Sequence, residues 1–154
     1  MGNLSRGIDI RIDRGLAIDS PAREIRHEVF ELEQQLPEEF DEIDERALHA
    51  VLYLDGAAVA CARAFPEKDE NGLWHLGRFA VRKPFRRQGL GSHVLKALEE
   101  TANSRGAQGF TLDAQLHAVP FYEAHGYAPV TGAYEICRCL HVTMRKEPQG
   151  AVAL

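Results

Sequence analysis

The segment Arg86-Arg87-Gln88-Gly89-Leu90-Gly91-Ser92 has the residue types and the placement of an anion cradle. It follows an apolar run, Trp74 to Val81, and opens a helical run, Leu90 to Ser104. Glycines let a backbone come close to a ligand. The first N–H groups of a helix have no intrahelical partner, and the helix dipole puts partial positive charge at the same end. Arg82, Lys83, Arg86 and Arg87 add full positive charge just upstream. Backbone N–H groups from Arg87 to Ser92, with the side chain of Arg86 or Arg87 reaching in, would suit a diphosphate.

Arg86-x-x-Gly89-x-Gly91 after a strand resembles the acetyl-CoA loop of the GNAT superfamily of N-acetyltransferases. Leu112-Asp113-Ala114-Gln115, followed by Phe121-Tyr122-Glu123-Ala124-His125-Gly126-Tyr127, is similar to the second signature of that family. A front segment resembles its small bacterial ElaA/YjcF-like branch: Arg26-x-x-Val29-Phe30-x-x-Glu33-Gln34-x-x-Pro37, then Asp41-x-x-Asp44 and Ala47-x-His49. These signatures stand in the family order and cover Arg23 to Met144.

The resemblance implies an α/β fold of the single-domain GNAT acyl-CoA N-acyltransferase type. That fold is an α+β mixed sheet, mostly antiparallel, with a β-bulge and splay and helices on both faces. It implies an acyltransferase that uses acetyl-CoA as co-substrate and passes the acetyl group to a primary amine, of a small molecule or a lysine-type side chain. The amine would attack directly in a ternary complex, with no metal and no covalent acetyl-enzyme. Two alternatives stay open: an acyl-CoA-binding sensor with little turnover, and an N-acyltransferase that prefers another acyl-CoA.

By the same resemblance, Phe79-Ala80-Val81 lies beside the pantetheine arm, and the Val81 or Phe79 amide donates to the thioester oxygen. Arg86, Arg87, Gln88, Gly89, Leu90, Gly91 and Ser92 hold the phosphates, and Gln115, Phe121 and Tyr122 complete the cofactor set. Tyr122 is the implied general acid, since a phenol of pKa about 10 is protonated at neutral pH and can donate to a leaving thiolate. A lysine-like amine, with pKa near 10.4, is neutral in only about one molecule in 2,500 at pH 7, so a base would help. Glu33 is the first candidate and His49 the second, although a satisfied, half-buried histidine is an equal reading of His49. Arg26, Asp41 and Asp44 either shape the acceptor pocket or tie the first helices together by ion pairs.

The branch usually reads Phe-x-Glu-x-Gly-Ile-x-His in its last strand. Here Ile136 takes the glutamate position and Arg138 the glycine position, while His141 stays in place. Asp113 stands where asparagine is common. Cys137-x-Cys139-x-His141 has metal-ligand residue types, but on one strand Cys137 and His141 would lie about 13 Å apart. One zinc ion, holding sulfur at about 2.3 Å, cannot reach both.

The 154 residues suffice for one domain, 1–154, with a core over about 8–146 and a flexible tail at 147–154. The net charge of −5 argues against general nucleic-acid binding. No apolar run approaches the ~18–20 residues of a membrane span. Met1 to Arg14 has no signal-peptide core, which points to the cytoplasm, where three cysteines read as reduced thiols. Glu28 to Glu45 carries nine acids and no lysine or arginine, and Arg82 to Arg87 carries four bases, so one region suits a cation and another an anion.

The elements that would position these residues follow from pattern. Ile8 to Ile12 alternates as a strand. Ser20-Pro21 starts a helix whose apolar face is Ile25, Val29 and Leu32, with Phe30 flanking. Glu38 to Arg46 reads as a short second helix or an ordered loop. Ala47–Leu54 and Ala57–Phe65 are strands joined by an Asp55-Gly56 hairpin turn. Leu73–Val81 is the strand before the cradle, and Leu90, Val94, Leu95, Leu98 and Ala102 form the stripe of the helix after it. Gly109–Asp113 is a short strand, Pro120–His125 a short helix and Tyr134–Met144 a single last strand, which could pair in a homodimer.

Overall fold

The computed structural model describes residues 7–37, 40–68 and 72–147. They fall into two compact units, one drawn from Met1–Ala64 and Arg78–Leu98, the other from Phe65–Gly77 and Glu99–Leu154. The tail expected at 147–154 lies outside the described residues apart from Glu147.

In the first unit, β1 (Ile8–Arg14), β2 (Leu48–Leu54) and β3 (Ala57–Pro66) form an antiparallel ladder with Ile10 opposite Leu52 and Ala50 opposite Ala62. The β2–β3 turn has φ of 50° at Asp55 and 89° at Gly56, the two positive values that its Asp-Gly pair predicts. Helix α1 (Pro21–Arg26) begins as its sequence requires, with the Ala22 N–H donating to Ser20 Oγ at 3.2 Å and Pro21 in the first turn.

The chain then departs from the expected pattern. His27–Glu33 is a π-helical turn, in which the Gln34 N–H donates to the Val29 carbonyl five residues back, at 3.1 Å. The wider turn rotates later residues relative to an α-helix. Phe30 therefore joins Ile25 and Val29 in the core, whereas Leu32, expected on the apolar face, is 63% exposed. Ala22, Ile25, Val29 and Phe30 pack with Val51, Cys61 and Ala80. Burying side chains the size of Val, Ile or Phe contributes about 1.5–3 kcal/mol each. Burial also pushes the Cys61 thiol up to about 12, so Cys61 is a packing residue and not a nucleophile. Glu42–Glu45 is a 3-10 turn, and Glu38 and Glu39, at the front of that expected element, lie outside the described residues.

Strand β4 (Leu73–Val81) supplies residues to both units. At Arg78 it leaves the extended region, with φ of 55°, a kink of the sort a bulge produces. Helix α2 (Leu90–Ser104) has the bounds read from the sequence, and its whole stripe, Leu90, Val94, Leu95, Leu98 and Ala102, is buried. Gly106, with φ of 93°, follows the helix end.

In the second unit, β4 runs parallel to β5 (Gly109–Gln115) through three pairs, Leu73–Gly109, Trp74–Phe110 and His75–Thr111. The ladder stops there, although β5 continues for four residues. The antiparallel partner of β5 is β8 (Cys139–Lys146), which also pairs with β6 (Ala128–Pro129) and β7 (Tyr134–Ile136). Helix α3 (Val119–Glu123) connects β5 to β6 and is followed by Gly126 with φ of 94°.

The single strand expected over Tyr134–Met144 is instead a hairpin. Ile136 faces Cys139, and the two turn residues, Cys137 and Arg138, have φ of 49° and 66°. Cys137 thus sits in an exposed turn rather than on a strand shared with His141. The turn also explains the glycine position of the branch pattern, because the second residue of such a turn must be left-handed. A non-glycine residue pays roughly 1–2 kcal/mol there. Arg138→Gly should accordingly raise stability by about 1 kcal/mol, read as a higher urea midpoint with an unchanged slope. A lower midpoint would show that the Arg138 side chain holds the hairpin.

Candidate functional site

The loop between β4 and α2 is built from a 3-10 turn, Lys83–Phe85, and two left-handed residues, Arg87 with φ of 62° and Gly89 with φ of 77°. Buried Leu90 anchors the first turn of α2. A Cβ added at Gly89 would meet nothing within 4 Å, so packing does not demand glycine at this position. Its conformation does, and the same openness leaves backbone that a ligand can approach. Lys83 and Arg87 are exposed and make no ion pair among the described residues. Left-handed turn, helix start and unpaired cations together fit a diphosphate group.

The other two cations of the loop are committed elsewhere. Arg82 donates to Glu28 at 3.0–3.2 Å and to the Ala58 carbonyl at 3.2 Å. Arg86 donates from Nη1 and Nη2 to the two oxygens of Glu33, at 2.6 and 2.7 Å, and from Nε to the Val81 carbonyl at 2.8 Å. The loop therefore presents Arg87 rather than Arg86 as its exposed arginine. The hydrogen bond from Arg86 lowers the Glu33 carboxyl below its usual range, and the positive charges of Arg86 and Lys83 add to this. A base working at neutral pH needs the opposite shift. Of the three residues expected beside the pantetheine arm, Ala80 points into the core, while Phe79 and Val81 are partly exposed.

Arg26, Asp41 and Asp44 form ion pairs, the second of the two readings given above. Arg26, 1% exposed, grips Asp44 with two bonds of 2.8 and 3.2 Å, and its guanidinium lies 4.7 Å from the Phe40 ring centre. Arg63, 4% exposed, binds Asp44 at 2.8 Å and Asp41 at 2.7 and 3.1 Å, and Arg78 at the β4 kink reaches Asp41 at 3.3 Å. His49 is buried, and its Nε2–H donates to the Asp44 carbonyl at 2.9 Å. Burial lowers its pKa against the pull of that carbonyl, so the ring is neutral and structurally satisfied. It borders an open cleft of about 340 Å³ together with Arg11, Arg14, Asp19 and Tyr53.

In the second unit, Tyr122 is 7% exposed and packs edge-on to Phe121 and Tyr127, with ring centres 5.0 and 5.9 Å away. Burial raises its pKa, which keeps the phenol protonated. Phe121 also contacts the His125 ring, and Gln115 ends β5 opposite His141. Tyr127 is a core residue with a buried hydrogen bond to Glu99 at 2.7 Å, and Glu99 is in turn held by Lys146 at 3.0 Å.

Sequence reading singled out Asp113 on this unit but not the polar residues gathered around it. His75 stacks on Phe65 and bonds Glu67 at 2.9 Å, while Asp113 accepts from Tyr134 and Thr143 at 2.8 Å each. These residues meet through strand register, with His75 beside Thr111 and Asp113 opposite Thr143, which no local spacing reveals.

Residues 16–148 match the family described as acetyltransferase (GNAT) domain. The chain belongs to the GNAT acetyltransferase family. Over 105 residues it is 45% identical to Bacillus subtilis YjcF, described as an uncharacterized N-acetyltransferase, covering 67% of this chain and 73% of that one. The crystal structure of Escherichia coli ElaA superposes with a TM-score of 0.81 at 26% identity, covering 91% of this chain and 99% of that one. An acyl-CoA N-acyltransferase from Pseudomonas aeruginosa gives the same TM-score at 25% identity, with the same coverage. The protein is thus an acyltransferase with an acyl-CoA co-substrate. Among the described residues, no helix is long and apolar enough to cross a membrane.

Proposed function

We propose that the chain, acting as one domain over 1–154, is a cytoplasmic acetyl-CoA-dependent N-acetyltransferase whose acceptor is a primary amine. The observation that carries the cofactor reading is the left-handed Arg87–Gly89 turn leading into α2, with Lys83 and Arg87 exposed beside it. Backbone N–H groups from Arg87 to Ser92 hold the phosphates, and the partly exposed Phe79 and Val81 border the acyl arm. The amine attacks the thioester directly, and Tyr122 protonates the leaving thiolate. Gln115 and Phe121 line the cofactor. Glu33 has no base role in this proposal, because both of its oxygens are committed to Arg86. The acidic balance of the chain favours cationic acceptors over nucleic acid.

Calorimetric titration with acetyl-CoA, beside free CoA, tests the reading. Wild-type protein should bind both with an affinity on the order of 1–100 µM. Gly89→Val should weaken binding at least about 100-fold, because a β-branched residue is a steric outlier at positive φ and would block the backbone surface. An equal affinity in a folded variant would remove this loop as the cradle. Binding without turnover on a broad amine panel would favour a sensor, and preference for a longer acyl-CoA would change the donor.

A further inference from the structure

The π-helical turn and the cofactor loop are joined by two matched ion pairs. Glu28 and Glu33 are five residues apart on the turn, and they bind Arg82 and Arg86, four residues apart on the loop. In an α-helix five residues rotate a side chain by about 140°, which would aim the two carboxylates in different directions. The i→i+5 bonding of a π-turn puts such residues on one face, much as i and i+4 share a face in an α-helix. The unusual helix is therefore what lets both carboxylates face the same loop.

Each arginine also continues to a backbone carbonyl at a strand end. Arg82 bridges Glu28 to Ala58 of β3, and its own N–H donates to the Val59 carbonyl at 2.9 Å. Arg86 bridges Glu33 to Val81, the last residue of β4. The guanidiniums act as struts between the π-turn and the backbone on which the cradle is built.

We propose that Glu33 is a positioning residue for the cofactor loop, acting through Arg86, with Glu28 and Arg82 as a second, parallel strut. This rests on the acyl-CoA reading of the loop and assigns Glu33 a role other than base. Both members of the Glu33–Arg86 pair are 35% exposed, so its worth to global stability is small. Its effect is local: it fixes the carbonyl of Val81 and the start of the loop before the ligand arrives, reducing the ordering cost of binding.

The sign of one substitution separates this role from simpler ones. Glu33→Gln removes a negative charge beside an anion site, so Coulomb attraction alone predicts tighter CoA binding. A general base predicts unchanged CoA affinity. Positioning predicts weaker binding, by about 5–10-fold, because Arg86 loses its anchor. The experiment is calorimetric titration of free CoA into wild type, Glu33→Gln, Arg86→Gln and the double variant, in low salt and in 0.5 M salt (about the range in which screening removes surface attraction). Thermal melts check the fold, and amide hydrogen exchange follows the loop. The expected result is weaker binding by Glu33→Gln in both salts, with an unchanged melting temperature and faster exchange from Val81 to Gly89 before CoA is added. The double variant should be no worse than Arg86→Gln, since the two residues act in series. Unchanged or tighter binding by Glu33→Gln, or effects that multiply in the double variant, overturns the proposal. Failure of wild-type protein to bind CoA at all would instead sink the cofactor reading, and the positioning role with it.

Discussion

Asp44→Ala is expected to cost about 3–5 kcal/mol of folding stability, the usual consequence of breaking a buried ion pair on one side. Asp44 accepts two bonds from Arg26, one from Arg63 and one from the Asp41 N–H. Truncation leaves Arg26 buried without the carboxylate it grips, and leaves Arg63 to Asp41. Against a typical domain stability of about 5–15 kcal/mol this is a large fraction. Urea unfolding measures it, and a loss below about 1 kcal/mol would mean that water replaces the carboxylate. The same residue governs acid stability. Burial opposes ionisation of Asp44, but the bonds from Arg26, the Asp41 amide and Arg63 outweigh it and hold the carboxyl well below the usual range. A depressed folded-state pKa contributes stability that is present above the unfolded pKa, about 3.9, and is lost as pH falls through the folded value. His49, whose pKa burial lowers, adds an earlier loss that begins below about pH 6.5. Wild-type stability should therefore decline in two stages on acidification. The lower stage should shrink in Asp44→Ala, while Asp41, also depressed despite burial through its bond to Arg63, retains part of it.

What could be read from the sequence is what depends on neighbouring residues. Ser20-Pro21 announces a helix start and Asp55-Gly56 a tight hairpin, because each supplies its own hydrogen bond or backbone conformation. The α2 stripe and the Gly89 loop are legible for the same reason, since spacing along the chain sets both. The Cys137-Arg138 turn was not, because neither residue prefers the left-handed region it occupies. Strand pairing on either side imposes that conformation. The π-turn is a sharper case. Ile25, Val29 and Leu32 sit at ordinary helical spacing, and a change in helix type cannot be seen in that spacing. Its structural counterpart is the matched pairing of Glu28 and Glu33 with Arg82 and Arg86, more than fifty residues away. The buried ion-pair group was half legible. Arg26, Asp41 and Asp44 stand out by motif, but Arg63 lies inside a small-residue strand and is joined to them only by the fold.

Tyr122→Phe should lower turnover by about 10²–10⁴-fold while leaving acetyl-CoA affinity nearly intact. The change deletes one oxygen and keeps the ring that packs on Phe121 and Tyr127, so the fold should survive it. Loss of rate without loss of affinity is the mark of a group needed in the transition state rather than in ground-state binding. Burial raises the Tyr122 pKa, so the phenol stays protonated well into the alkaline range. The wild-type rate should then show no fall attributable to this residue up to about pH 10, the pKa of a free phenol. The assay uses any amine that the wild type acetylates, with acetyl-CoA saturating, and a thioester-cleavage readout. Turnover within about twofold of wild type would leave Tyr122 as packing, and protonation of the thiolate would then fall to solvent.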